Sequence, residues 1–292
     1  EIDHVFGFRT ENARKNLFFY KDDHIIYSIS SVCIIQNLDD YSQRKFGGFP
    51  LKEDKECHDN NIMSIAFLKS DVSMIATGQS GLRPKILVWS PVDTEVVYAK
   101  FEQPKGSKLV SALAFDRDGH YLASFGKSDD NAFYVFDLRK KELYWDCPTF
   151  EFDKGPKIND SHDNFLLDMC FNPFNDDDEF CIVGVNKILF GRLANKTLKN
   201  FYAPKEQETA KKYYSACCFM TSNTCLIGTS SGKINVIEEQ QTKVYWKKIC
   251  RGSILNITFK TNLNLIFVSD SLGHVMMVEG GLLMVKNSYK MI

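Results

Sequence analysis

A chain of 292 residues, 44% of them apolar and 23 of them Phe, has enough apolar material for one large core or two smaller ones. Its 36 basic and 37 acidic side chains leave a net charge of −1, so no global field draws it to nucleic acid or acidic lipid. No apolar run reaches the roughly 18 residues of a membrane span and no secretory leader is visible; nine cysteines without a CxxC pair, several inside apolar runs, point to a reducing compartment.

Residues 1–57 open with Val5-Phe6-Gly7-Phe8-Arg9 and continue through Arg14-Lys15-Asn16-Leu17. Ile25–Ile29 and Val32–Ile35 then read as two strands around Ser30-Ser31, and Ser42–Phe46 leads out. The apolar residues alternate poorly, which predicts strands covered on both faces. From His58 the pattern is clearer. Ile62–Phe67, Met74–Gly78 and Ile86–Trp89 are short apolar runs separated by turn residues, with a His before them and a Trp at their end. Runs of four to six apolar residues bounded by Gly, Asp, Ser and Pro are strand signals.

The unit recurs. An apolar-small-Phe ending closes Ile65–Phe67, Leu113–Phe115, Met169–Phe171, Cys217–Phe219 and Ile257–Phe259, with 48, 56, 48 and 40 residues between successive Phe positions. Each is followed by a second run (Tyr121–Ser124, Phe180–Val183, Cys225–Gly228, Leu265–Val268) and a third (Phe133–Asp137, Ile188–Phe190, Ile234–Ile237, Val275–Val278). Periods of about 40–50 residues with several strands per unit are the mark of β-propeller blades, each too small to bury its own faces. The expected fold is therefore all-β, a WD-repeat propeller with about six visible blades. The first, in residues 1–57, is divergent. The others fall at 58–106, 107–161, 162–212, 213–252 and 253–292.

Within the blades, His58, Thr77 and Trp89 fit the His, Ser/Thr and Trp that such repeats tie together, although Gly81-Leu82-Arg83-Pro84 stands where an Asp turn is usual. Ser124, Asp137 and His162 occupy related places in the next two units, with Phe136-Asp137 in the Trp-Asp position. A structural histidine bonded inside the blade is the expectation for His58, since no second ligand lies at metal spacing. Asp116–Gly119 reads as a tight turn. Gly126-Lys127-Ser128 imitates a phosphate loop, but Tyr121 stands where that loop needs Gly, and the segment lies between strands. Asn175–Glu179 lacks the alternating ligands of a calcium loop and reads as a solvated hairpin tip. Pro148–Ser161 and Ala203–Lys212 are irregular excursions.

The order Val5–Arg9, Arg14–Leu17, paired strands, Ser42–Phe46, then a blade with Thr77-Gly78-Gln79-Ser80-Gly81 resembles the echinoderm microtubule-associated protein-like family, over residues 4–137. That family places a hydrophobic (HELP) motif ahead of tandem atypical WD propellers. The resemblance assigns Val5, Phe6, Gly7, Phe8, Arg9, Arg14, Asn16 and Leu17 to the motif, with Val5, Phe6, Phe8 and Leu17 expected in the core. It implies a fragment of a longer tandem-propeller protein, the other arrangement being closure by a strand at Val5–Phe8. It also implies a non-catalytic scaffold of the cytoplasmic cytoskeleton, with the cilium and axoneme as a further location. Its partners would be tubulin or the microtubule lattice and neighbouring microtubule-associated proteins, with no cofactor, nucleic acid or membrane. The alternatives are an adaptor in another multiprotein complex and, from a different class, a propeller hydrolase. No GxSxG elbow, metal cluster or dinucleotide-type Gly turn favours an enzyme.

Overall fold

A computed structural model describes residues 4–7, 15–48, 56–68, 73–104, 106–126, 133–147, 166–201, 213–238 and 243–291. The expectations at Phe8, Arg9, Arg14, Lys127, Ser128, Pro148–Ser161, His162 and Ala203–Lys212 lie outside these residues. The chain divides into two compact units, Glu1–Thr149 and Phe150–Ile292. Each holds three four-stranded antiparallel sheets, and every sheet is built from four successive strands. Among the described residues no helix is long and apolar enough to cross a membrane.

The first unit begins with β1 (Leu17–Lys21), β2 (His24–Ile29), β3 (Val32–Asn37) and β4 (Gln43–Gly47). The second sheet is β5 (Ile62–Leu68), β6 (Met74–Gln79), β7 (Lys85–Trp89) and β8 (Val97–Glu102). The third is β9 (Val110–Phe115), β10 (Tyr121–Gly126), β11 (Phe133–Asp137) and β12 (Glu142–Cys147). Side chains alternate across a strand, and the middle sheet shows why its runs are continuously apolar. Leu87 and Trp89 pack with Ile26, Ile35 and Phe46 of the first sheet. Ile86 and Val88, alternating with them in sequence, pack with Val110, Leu122 and Phe136 of the third. A sheet covered on both faces has no polar side to alternate with.

The second unit repeats the plan. Its sheets are β13 (Leu166–Phe171), β14 (Glu179–Gly184), β15 (Lys187–Arg192) and β16 (Thr197–Asn200); β17 (Tyr214–Thr221), β18 (Thr224–Thr229), β19 (Lys233–Glu238) and β20 (Lys243–Lys248); and β21 (Ile254–Lys260), β22 (Leu265–Asp270), β23 (His274–Glu279) and β24 (Val285–Lys290). Cys225 and Ile227 face the fourth sheet, where they meet Cys181, Val183 and Phe190. Leu226 faces the sixth, in a cluster with Ile254, Ile266 and Val268. Equivalent turns recur in the last two sheets: Gly232 at φ +76° and Gly273 at φ +79° stand just before β19 and β23.

The same clasp ties inner strands in both units. Ser64 on β5 donates its hydroxyl to the carbonyl of Val110 at 3.0 Å, and Ser215 on β17 donates to that of Ile254. Beside these bonds the next sheet presses close. A Cβ on Gly78 would lie 2.5 Å from the Val110 side chain, and one on Gly228 2.5 Å from Ile254. Glycine is what lets the sheets meet there.

One expectation is corrected. Phe6 is 84% exposed and Leu17 49%, so neither is core. β1 is an edge strand, and its alternation sends Phe18 and Tyr20 inward while Leu17 and Phe19 point out. Val5 packs on Tyr27, Val32 and Ile34, so the adjacent Phe6 is turned away from the sheet.

Candidate functional site

Two arrangements answer to the residues singled out in the sequence. The first lies inside the second sheet. His58, just ahead of β5, is buried and reaches two residues of β6: its Nε2 lies 2.7 Å from Thr77 Oγ1 and its Nδ1 2.8 Å from Gln79 Oε1. Trp89 at the end of β7 donates Nε1–H to the same Thr77 hydroxyl at 3.2 Å. Gln79 donates to Asp59 at 2.6 Å, and Asp59 meets the Lys85 ammonium at 2.6 Å. Because the Gln79 amide donates to a carboxylate, its oxygen is left to accept. His58 is therefore the Nδ1–H tautomer, with Nε2 accepting from Thr77. The expected trio of His58, Thr77 and Trp89 is brought together, and Gln79 and Asp59 complete it.

Burial pushes the His58 imidazole down to about 4. The unfolded chain then takes up a proton near pH 6.5 that the folded chain refuses until about pH 4. Stability is accordingly full above pH 6.5 and lost as pH falls. We expect a loss of about 2 kcal/mol between pH 7.5 and 5, from two-state linkage. Urea titrations at both pH values check this, and His58→Gln should flatten that part of the slope.

The third sheet keeps the geometry with other residues. Ser124 is buried and accepts from Gln103 Nε2 at 3.1 Å, so Gln103 stands in for the histidine. Phe136 takes the Trp place, stacked on Phe101 with centroids 4.5 Å apart, and has no N–H to give. Asp137 instead caps its turn, its Oδ1 accepting from the Arg139 and Lys140 amides at 2.9 Å. Gln79 and Gln103 were missed in the sequence. Their signal was a Gln two or three residues after a strand's last apolar position, which is common and uninformative alone.

The second arrangement is a surface groove of about 640 Å³ on the first sheet, lined by Val5, Phe6, Leu17, Ile25, Tyr27 and Tyr41 among others. The Gln43 side chain of β4 creates it by holding the backbone of Val5 like a strand partner. Val5 N–H donates to Gln43 Oε1 at 2.9 Å, and Gln43 Nε2 donates to the Val5 carbonyl at 3.0 Å. Tyr27 OH, bonded to Gln36 at 2.7 Å, shares the same amide. Asn16 is buried beside Leu17, and Gly7 sits at φ +110°. Val5 is thus pinned by its backbone and packs inward, while Phe6 and Leu17 leave apolar side chains outward, which is the form of a protein-contact surface.

A second concavity, of about 440 Å³, lies between the fourth and fifth sheets and is polar, with Asp177, Glu179, Arg192 and Lys199 on its walls. Its carboxylates are engaged: Asp177 lies 3.9 Å from Arg192, and Glu179 accepts from Asn172 at 3.0 Å. Among the described residues no group of three or more His, Cys, Asp or Glu is placed to hold a metal ion.

Comparison with known proteins agrees with the groove's sequence. Residues 1–34 match the model of the HELP motif. The chain is 27% identical over 147 residues to the ciliary WD repeat-containing protein ctxp80 of Euplotoides octocarinatus, covering 48% of this chain and 20% of that one. It is 23% identical over 252 residues to the 77 kDa echinoderm microtubule-associated protein of Lytechinus variegatus, covering 84% and 34%. Against echinoderm microtubule-associated protein-like 2 of Rattus norvegicus it is 23% identical over 248 residues, covering 81% and 34%. The chain thus spans about a third or less of the length of these relatives. Among solved structures it is similar to the RRP9 WD40 repeats, with TM-score 0.70, 14% identity and coverage of 93% and 78%. The β-propeller domain of Cps50 (Swd1) from Myceliophteria thermophila gives TM-score 0.62, 16% identity and coverage of 79% and 72%. At such identities these structures speak for the fold alone: an all-β WD40 propeller fold with six four-stranded sheets. On these grounds the chain is a WD-repeat protein with an N-terminal HELP motif, related at modest identity to the echinoderm microtubule-associated protein-like proteins.

Proposed function

We propose that this chain is a non-catalytic scaffold that binds tubulin, in the lattice or as the soluble dimer, on cytoskeletal or ciliary microtubules. The observation that carries the reading is the coincidence of the HELP match over residues 1–34 with an apolar groove in which Phe6 is 84% exposed. Relatives named as microtubule-associated and ciliary supply the class of partner. In this reading residues 1–57 carry the motif and the first blade, and 58–106, 107–161, 162–212, 213–252 and 253–292 are the five others. His58, Thr77, Trp89, Ser124, Asp137 and His162 are then framework residues, and of the motif Val5, Phe6, Gly7, Phe8, Arg9, Arg14, Asn16 and Leu17 it is Phe6 and Leu17 that make the contact, with Val5 and Asn16 packed behind them.

Co-sedimentation with assembled microtubules and retention on a tubulin column test it. The protein should pellet above a bare-propeller control, and Phe6→Asp should weaken binding by about tenfold or more, as loss of an interface anchor does. The same variant should keep its unfolding midpoint, since the side chain it replaces is already in water. Background pelleting together with no column retention would sink the proposal.

A further inference from the structure

The fourth and fifth sheets meet across four thiols. Cys170 on β13 pairs in register with Cys181 on β14. Opposite them, Cys217 on β17 and Cys225 on β18 project from the same face, since Cys225 pairs with Phe219, two residues beyond Cys217. Cys181, Cys217 and Cys225 are buried, and Cys170 is partly exposed. One approach crosses between the sheets at short range: Cys170 Sγ lies 3.4 Å from Cys217 Sγ. The register there is held by Asp168, two residues before Cys170, whose Oδ2 accepts from the Cys217 amide at 3.0 Å. Cys225 also lies on the wall of the polar concavity of about 440 Å³, so the interface is adjacent to solvent.

We propose that Cys170 and Cys217 are an oxidation site, at which hydrogen peroxide converts two thiols into a disulfide that joins the fourth and fifth sheets. The pairing follows from distance. The two sulfurs must close by only about 1.4 Å to reach bond length, whereas directly paired cross-strand residues hold their Cβ atoms near the upper limit for a disulfide or beyond it. The order of events follows from exposure. Burial pushes the Cys217 thiol well up, so the partly exposed Cys170 reacts first. Its proton goes to solvent, and the thiolate attacks one peroxide oxygen. The O–O bond breaks, and hydroxide leaves and is protonated to water. The resulting sulfenic acid at Cys170 is then attacked by the Cys217 sulfur, whose proton leaves with the departing hydroxyl as a second water. Two thiols lose two protons and two electrons, and one peroxide becomes two waters.

Peptide mapping of the intact protein tests this. After brief treatment with hydrogen peroxide and alkylation of remaining thiols, a Cys170–Cys217 cross-linked peptide should appear and vanish on reduction with dithiothreitol. Seven of the nine cysteines should stay alkylatable, and the thermal midpoint should rise by several degrees, because the bond closes a long loop. Cys217→Ala should instead trap Cys170 as a sulfenic acid that reacts with a dimedone probe. The proposal is overturned if both thiols remain free while Cys57 or Cys218 oxidises, or if Cys170 is recovered bound to a different cysteine. The map on unaltered protein decides the matter even if the variant does not fold.

Discussion

Trp89→Ala should cost about 4 kcal/mol and lower the thermal midpoint by about 10 °C, the range for emptying a fully buried aromatic site. Trp89 has no solvent exposure. Its ring stacks on Phe46 of the neighbouring sheet with centroids 4.2 Å apart and planes 7° from parallel. Its N–H completes the chain through Thr77 to His58. Truncation therefore opens a cavity between two sheets and removes a donor from a buried polar chain. Trp89→Phe separates the two effects: the ring packing is largely kept and only the donor is lost, so about 1 kcal/mol is expected. Trp246→Ala is the control. That indole is 52% exposed and lies under Lys233 Nζ at 4.0 Å, so a change within about 0.5 kcal/mol is expected. Equal losses for Trp89→Ala and Trp246→Ala in urea unfolding would contradict this account of the core.

Asp168→Ala should cost about 3 kcal/mol. The carboxylate is buried and accepts from two backbone amides, Met169 at 2.9 Å on its own strand and Cys217 at 3.0 Å on the next sheet. Hydrogen bonds to a charged group contribute about 1.5–3 kcal/mol each, and alanine leaves both amides without this acceptor in a place that water enters poorly. Asp168→Asn sharpens the test. An amide side chain keeps one oxygen but turns an NH2 toward the second N–H, so it should recover only about half of the loss. Chemical denaturation of the two variants, with hydrogen exchange at the Cys217 amide, checks the assignment. Full rescue by Asn would mean that only one of the two bonds matters.

The regular parts of the fold were legible because their signals are local. Ser30-Ser31 separates β2 from β3 as read, and the recurring Phe at the end of each inner strand marks β5, β9, β13, β17 and β21. The trio at His58, Thr77 and Trp89 was also legible, since a His before the first strand, a Thr in the second and a Trp ending the third can meet only inside one sheet. Phe6 and Leu17 were misread for the opposite reason. An apolar residue on an edge strand and one in a sheet core have the same letter, and only the presence of a neighbour distinguishes them. The thiol group of the fourth and fifth sheets was invisible for a related reason: Cys170 and Cys217 are 47 residues apart and read as ordinary small apolar positions in separate strands.

By itself the sequence determined that about six units recur, three strands in each of the last five, and where the chain turns, because short apolar runs, glycine turns and a repeat of about 40–50 residues are written along the backbone. The tertiary structure decided which face of each strand meets a neighbour. It left Phe6 outside, set Gln79 and Asp59 behind His58, and placed two thiols within reach across a sheet boundary. Those outcomes depend on contacts between residues distant in the chain, and no local pattern encodes which distant surface will arrive to cover a side chain.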